Sequence, residues 1–174
     1  MKFFGYGIFL ERLTRNDLEL VRYWRNSEEV NSFMIYQNEI SEQQQQDWFD
    51  SINNDQNYYF IILNKREEKV GLVNIKDVDF INATGEAGVF MFGQKNWGTG
   101  IALKAGALAG RFAFENLKLA SLTCKVTKEN KRAVTFNQYF GYQFSISDTG
   151  ILHGFLKREN FFRFLDRYVN VLER

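Results

Sequence analysis

The 174-residue chain has no proline, one cysteine (Cys124), one histidine (His153) and three methionines. A lone cysteine excludes any disulfide within the chain and suits a reducing compartment, the cytoplasm. One His and one Cys cannot assemble a zinc site from the usual nitrogen and sulfur ligands, so no metal is expected. Charge of either sign is not in excess: 22 Lys and Arg face 21 Asp and Glu, a net +1. That balance gives no general electrostatic case for nucleic acid or a membrane surface as partner. No apolar run approaches the ~20 residues that a membrane span needs. The opening patch of Phe3, Phe4, Ile8 and Phe9 is broken by Gly5 and Gly7 and is followed by no small-residue cleavage pattern. It does not read as a secretion signal. Repeats, low-complexity tracts and linkers are missing too, so one soluble domain over residues 1–174 is expected.

Rings are abundant: aromatics make up 17% of the chain, with 18 Phe, so core and pocket walls should be rich in them. Residues 8–13 read as a strand, and Thr14 with Asp17 as a capping box ahead of a helix that turns Leu18, Val21 and Trp24 inward. Ser41 with Gln44 opens a second helix, stopped at Asn53. Residues 58–63 and 70–78 read as strands joined by a charged turn, hence a hairpin. A further strand over 86–92 leads into a polar, glycine-containing loop. From Gly100 a helix runs to about Glu115, with Ile101, Ala105, Leu108 and Phe112 as its large apolar stripe. Ala102, Gly106, Ala109 and Ala113 form a second stripe, small enough for very close packing. Residues 121–127 alternate as a half-buried strand does. Asn130 begins another helix that ends near Phe140, with Gly141 at the stop. Two or three strands are expected to close the chain, the last inside 161–172. The order suggests a mixed α/β sheet covered by helices.

The segment 85–105 carries the chemistry. A strand runs into Gly98-Thr99-Gly100, and a helix starts at the second glycine. Such a turn brings the backbone close to a ligand, and the first-turn N–H groups with the helix dipole favour phosphate. Lys95 adds positive charge beside it. A tight turn or a plain helix cap is the bland alternative. No G-K-S/T follows, which excludes a Walker loop, and no alternating βαβ chain surrounds it, which excludes a dinucleotide fold.

In this context Lys95-Asn96-Trp97-Gly98-Thr99-Gly100 resembles the R/Q-x-x-G-x-G/A pyrophosphate loop of the GNAT acetyltransferases. Leu10-Glu11-Arg12-Leu13 with Asp17-Leu18 resembles the family's opening strand and helix, and Glu86-Ala87-Gly88 the start of its fourth strand. Asn130-Lys131-Arg132-Ala133 with Phe140-Gly141-Tyr142 resembles its N-x-x-A/S…L-G-F segment, and Asp166 and Tyr168 its final strand. The resemblance implies a GNAT fold: a mostly antiparallel sheet of six to seven strands, splayed in a V between strands four and five, with about four helices. It also implies acetyl-CoA as cosubstrate and direct transfer to a small-molecule primary amine.

By the same resemblance, Phe90, Met91 and Phe92 offer main-chain contacts to the pantetheine arm, one N–H polarising the thioester carbonyl. Lys95, Asn96, Trp97, Gly98, Thr99, Gly100 and Ile101 hold the pyrophosphate, and Asn130 contacts the arm while capping its helix. Glu86 stands where the family often has a carboxylate base, acting directly or through water; its bland alternative is an exposed strand residue. Asn137 occupies the position of the family's usual tyrosine acid. Tyr139, two residues on, should point to a different side of the helix. The loss of that tyrosine also fits a domain that binds acyl-CoA without turnover. Cys124 alternates with Leu122 and Val126, so it reads as core and not as an acyl carrier, and His153 reads as a surface residue with a base role as the alternative.

By the same resemblance, which places acceptor pockets at the first two helices and their joining loop, the acceptor site is expected among Trp24, Arg25, Asn26, Phe33 and Met34. Rings beside an arginine suit a nucleotide, and the W-R-N…F-M spacing resembles nucleotide-linked aminosugar N-acetyltransferases of the pseudaminic acid pathway. The competing pattern is acidic. Glu28, Glu29, Glu39, Glu42, Asp47, Asp50 and Asp55 outnumber Arg22 and Arg25 over this stretch and suit a polyamine or a protein N-terminus. At a general level the chain also resembles spermidine and ribosomal-protein alanine acetyltransferases. A ring-rich domain with open sheet edges admits a homodimer. If the glycine turn grips a diphosphate, Gly98→Asp places a negative charge on the cradle and abolishes coenzyme A uptake, read by titration calorimetry.

Overall fold

The computed structural model describes residues 1–147 and 150–173. Eight strands form one sheet: β1 (Lys2–Gly5), β2 (Ile8–Arg12), β3 (Tyr58–Leu63), β4 (Lys69–Asp79), β5 (Thr84–Met91), β6 (Ser121–Thr127), β7 (Gln143–Ile146) and β8 (Ile151–Lys157). Their order is β1-β2-β3-β4-β5-β6-β8-β7, antiparallel throughout except at the parallel β5–β6 pair. Among the described residues six α-helices accompany them: α1 (Leu18–Asn26), α2 (Glu28–Asn31), α3 (Glu42–Ile52), α4 (Ile101–Arg111), α5 (Lys131–Phe140) and α6 (Arg158–Leu172).

The interior strand β3 shows why helices cover both faces. Phe60 and Ile62 join Ile8, Leu10, Ala105 and Phe112 on the α4 face, whereas Tyr59, Ile61 and Leu63 join Val21, Trp24 and Phe49 under α1 and α3. A strand buried on both sides reads as a continuous apolar run, as Tyr58–Leu63 does. The capping signals operate as expected. The Asp17 carboxylate accepts from the Thr14 N–H (2.9 Å) and hydroxyl (2.7 Å), and the Ser41 and Gln44 side chains cap each other's backbone N–H. Burial works against the charge on Asp17. Hydrogen bonds from Lys69 (2.6 Å) and Thr14 outweigh it and hold the carboxyl below its ordinary range.

The large stripe of α4 lies on the sheet core, and its small residues allow close approach elsewhere. A methyl group on Gly106 would stand 2.7 Å from the Phe140 ring, and one on Gly110 2.3 Å from the Phe161 ring. Past Arg111 the helix widens into a π-helical turn, Phe112–Asn116.

Two expectations need correction. The apolar patch at the N-terminus is a strand: β1 pairs with β2 through a two-residue turn in which Tyr6 and Gly7 both have positive φ, the geometry a tight hairpin needs. It raises the strand count among the described residues to eight. The segment expected to hold the last strand is instead the helix α6, so Asp166 and Tyr168 are helical. Phe161, Phe164, Leu165, Tyr168 and Leu172 recur at helical spacing, and all five pack into the core around Phe114 and Phe140. The closing strands are β7 and β8, and residues 148–149 between them lie outside the described residues. Among the described residues no helix is long and apolar enough to cross a membrane.

Phe161 is 1% exposed and packs against the rings of Phe114, Phe140, Phe162 and Phe164. Phe161→Ala is expected to lower unfolding free energy by ~3–5 kcal/mol in chemical denaturation, the cost of an unfilled aromatic site.

Candidate active site

The site begins where β5 and β6 part. They pair only over Thr84–Glu86 against Ser121–Thr123, while β5 stays paired to β4 as far as Met91 and β6 to β8 as far as Thr127. Beyond Glu86 the inner edges of both strands are open, which leaves main-chain donors and acceptors free for a ligand. The Phe92 N–H bonds the Val70 carbonyl (2.8 Å). By the two-residue alternation of a strand, Phe90 then faces β4, and the free groups on the gap side belong to Met91, Val89 and Ala87. Val89 and Ala87 were not among the expected contacts.

The glycine loop sits at one end of the gap. Gly98 and Gly100 have φ of +72° and +80°, and Gly100 is the N-cap of α4. The first helical bond comes from the Lys104 N–H, so the N–H groups before it have no helical partner and face outward. Asn96 is buried and donates to the Phe92 carbonyl (2.7 Å), tying the loop to the end of β5, and Thr99 donates to the Asn96 carbonyl (2.7 Å). Across the opening, Arg132 of α5 lies over the Trp97 ring, 5.3 Å from its centroid. Asn130 caps α5 by accepting from the Ala133 N–H (3.0 Å).

One cavity of about 1090 Å³ joins these parts. It runs from Asn96, Trp97, Gly98, Gly100 and Asn130, past Phe90 and Met91, to Arg25, Phe33, Met34 and Trp48 under α1–α3. Asn137 also lines it, with its amide N–H on the Ala133 carbonyl (2.8 Å). Lys95, Thr99 and Ile101 do not line it, and Lys95 is exposed. Phe92 is not on the wall either; its ring stacks on Trp24 (5.5 Å). Trp24 is 1% exposed and belongs to the core, and Asn26 fastens the following loop by bonding both the N–H and the carbonyl of Ile40. Hydrophobic burial claimed Trp24 and backbone hydrogen bonding claimed Asn26, which sequence spacing had grouped with Arg25.

The cavity floor beneath α1–α3 is built by strand register, and Glu86 lies beside the lining residues without being on the wall. Tyr59, Asn74 and Gly88 form one row across β3, β4 and β5, and Lys76 and Glu86 the next. A methyl group at Gly88 would stand 2.9 Å from Asn74 Oδ1, so glycine keeps this row open. Glu86 is clamped: Lys76 Nζ lies 3.0 Å from Oε1 and Lys125 Nζ 2.7 Å from Oε2. Burial opposes the charge on Lys76, but its bonds to Asp77 and Glu86 prevail and raise it above the ordinary lysine range. Burial pushes the Tyr59 hydroxyl up to about 12, so it stays protonated at neutral pH, with its ring edge-on to Trp48 (5.1 Å). Tyr142, buried at the wall, is likewise raised by burial. Tyr59, Asn74, Lys76, Lys125 and Tyr142 all line the cavity. The alternation of β6 could have signalled Lys125, because it shares a face with Thr123 and Thr127. The others needed the register.

Cys124 is buried, and burial pushes its thiol up to about 12, which leaves no thiolate to carry an acyl group. His153 is exposed on β8. Among the described residues no three His, Cys, Asp or Glu side chains gather as a metal site would require.

A mixed sheet parted at its parallel pair, with a glycine-led helix at the mouth of the gap, defines an acetyltransferase fold. The acetyltransferase (GNAT) domain family matches residues 8–143, and the chain belongs to that family. Among characterised relatives, acetyltransferase PseH of Campylobacter jejuni is 25% identical over 150 residues, covering 85% of this chain and 90% of that one. Spermidine N(1)-acetyltransferase of Escherichia coli is 25% identical over 138 residues, covering 79% and 74%. Among solved structures, the Vibrio cholerae spermidine N-acetyltransferase in complex with CoA and spermine superposes with a TM-score of 0.79 at 17% identity, over 91% of this chain and 99% of that one. The same enzyme has also been solved as a dodecamer.

Tyr139 is 55% exposed, lies outside the cavity wall and rests against Tyr168. Tyr139→Phe is therefore expected to leave the rate of thiol release from acetyl-CoA unchanged; a tenfold fall would place its hydroxyl in the reaction.

Proposed function

We propose that the chain transfers acetyl from acetyl-CoA to the primary amine of a nucleotide-linked aminosugar, both substrates being bound together. The single observation that carries this is the continuous cavity from the glycine loop, through the strand gap, to the aromatic chamber beneath α1–α3. Gly98, Gly100 and the first-turn N–H groups of α4 cradle the pyrophosphate. Asn96 braces that loop and Asn130 flanks the arm. The gap-side groups of Met91 and Val89 hold the arm, and an N–H among them polarises the thioester carbonyl. The neutral amine attacks that carbonyl, a C–N bond forms, the C–S bond breaks, and coenzyme A leaves as a thiolate that takes a proton from water. Both oxygens of Glu86 are engaged by lysines, so it receives the amine's proton through water rather than by direct contact.

The charge around the acceptor end supports an anionic acceptor. Arg25, Lys76 and Lys125 line the cavity. Of the seven carboxylates between Arg22 and Asn57, Glu29 alone is on the wall, and it accepts from the Gly93 N–H. The acidic character seen in the sequence lies elsewhere: Asp50 pairs with Arg15, and Asp47 and Glu42 accept from Gln43 and Gln46. Tyr36, Phe33 and Trp48 supply ring faces for a base. The second reading, a polyamine acceptor, is favoured by the spermidine acetyltransferases among the relatives. The open edge strands β1 and β7 leave room for self-association, and we include a homodimer in the reading.

Thiol release measured across UDP-linked 4-amino sugars, spermidine and N-terminal peptides tests the proposal. Release is expected with the aminosugar nucleotide. Arg25→Ala raises the acceptor KM about tenfold at constant KM for acetyl-CoA, in keeping with the loss of one charge-assisted hydrogen bond. Glu86→Gln lowers kcat by about a hundredfold, at the lower end of a general-base effect. Release with spermidine alone, insensitive to Arg25→Ala, would overturn the assignment.

A further inference from the structure

Three buried side-chain polar atoms among the described residues have no hydrogen-bond partner: Arg25 Nε, Asn31 Oδ1 and Gln45 Nε2. Asn31 lies off the cavity wall, whereas Arg25 and Gln45 are both on it. Both of these atoms are N–H donors, which narrows what could complete them.

Gln45 is the more informative of the two. It is the third of four consecutive glutamines on α3, and the only one of the four that is buried, at 4% exposure. Its neighbours are engaged: Gln43 donates to Asp47, Gln44 caps the Ser41 N–H, and Gln46 donates to Glu42. Gln45 instead lines both the main cavity and a pocket of about 310 Å³ between α1 and α3. A leucine there would bury as much apolar surface without an open donor. A buried amide left unpartnered is a standing cost, of the kind retained where a ligand completes it. The terminal torsion of a glutamine is broad, so the amide can turn to meet an oxygen that enters the chamber.

We propose that Gln45 determines acceptor specificity: its amide N–H donates to an oxygen of the acceptor beside Arg25, so the chamber selects an oxygen-rich aminosugar over a polyamine, whose protonated amines offer only donors. This rests on the reading of the α1–α3 chamber as the acceptor end of the cavity.

The test compares Gln45→Leu and Gln45→Glu with wild type, with thiol release from acetyl-CoA as the assay and a UDP-linked 4-amino sugar or spermidine as acceptor. For the sugar nucleotide, both variants are expected to raise the acceptor KM about tenfold and leave the KM for acetyl-CoA unchanged. Gln45→Leu is also expected to keep or raise the midpoint of thermal unfolding, because it removes an unsatisfied buried donor; a purely structural glutamine would give the opposite. Gln45→Glu turns the donor into a carboxylate and is expected to lower the KM for spermidine. If Gln45→Leu melts lower and its acceptor KM is that of wild type, the inference falls while the aminosugar reading stands. If wild type releases thiol with spermidine alone, the aminosugar reading itself falls, and the inference with it. Should Gln45→Leu fail to fold, equilibrium binding of the sugar nucleotide to Gln45→Glu decides the question: affinity equal to wild type overturns the inference.

Discussion

The structure depends on an interrupted hydrogen-bond ladder. β5 and β6 exchange bonds over three residue pairs and then separate, each held on its outer side by a full antiparallel neighbour. Two strands left open in the middle of a sheet expose donors and acceptors that folding normally satisfies. The outer ladders make that arrangement sustainable, because the gap does not cost either strand its place in the sheet. What enters the gap must supply the missing partners, and an extended amide-bearing arm does so on the terms of a strand. The fold thus sets the chemistry before any side chain is considered.

Side chains then divide the gap into two environments. On the α4 side, Leu122, Cys124 and Val126 make an apolar wall, and the raised thiol of Cys124 keeps it uncharged. On the α1–α3 side, the register across β4, β5 and β6 brings Lys76, Glu86 and Lys125 together, with Arg25 and Gln45 in the chamber beyond. Glycine is needed where these parts meet: Gly88 leaves space for Asn74, and Gly98 and Gly100 hold a left-handed backbone at the loop.

Most elements were legible because their signals were local. Ser41 with Gln44 and Asn130 with Gly141 marked helix boundaries that the structure keeps, and the alternation over 121–127 fixed a strand and its buried face. The one large misreading came where a family pattern was preferred to periodicity. Phe161, Phe164, Leu165, Tyr168 and Leu172 already spelled a helix, and α6 follows them. β1 was missed because four residues carry little pattern by themselves and become a strand only through pairing with β2.

The sequence by itself determined most of the element order, the glycine turn ahead of α4, and the family. Those features depend on neighbours a few residues apart. It could not assign roles within the stretch where Trp24, Arg25 and Asn26 are adjacent in the chain yet serve as core, cavity wall and loop fastener. Nor could it show that Glu86 is held by two lysines, or that the one buried glutamine of four lines a cavity with its amide nitrogen unpartnered. Only tertiary structure decided these points, because strand register and helix rotation convert nearness in sequence into nearness in space, and side-chain charge acts over the second.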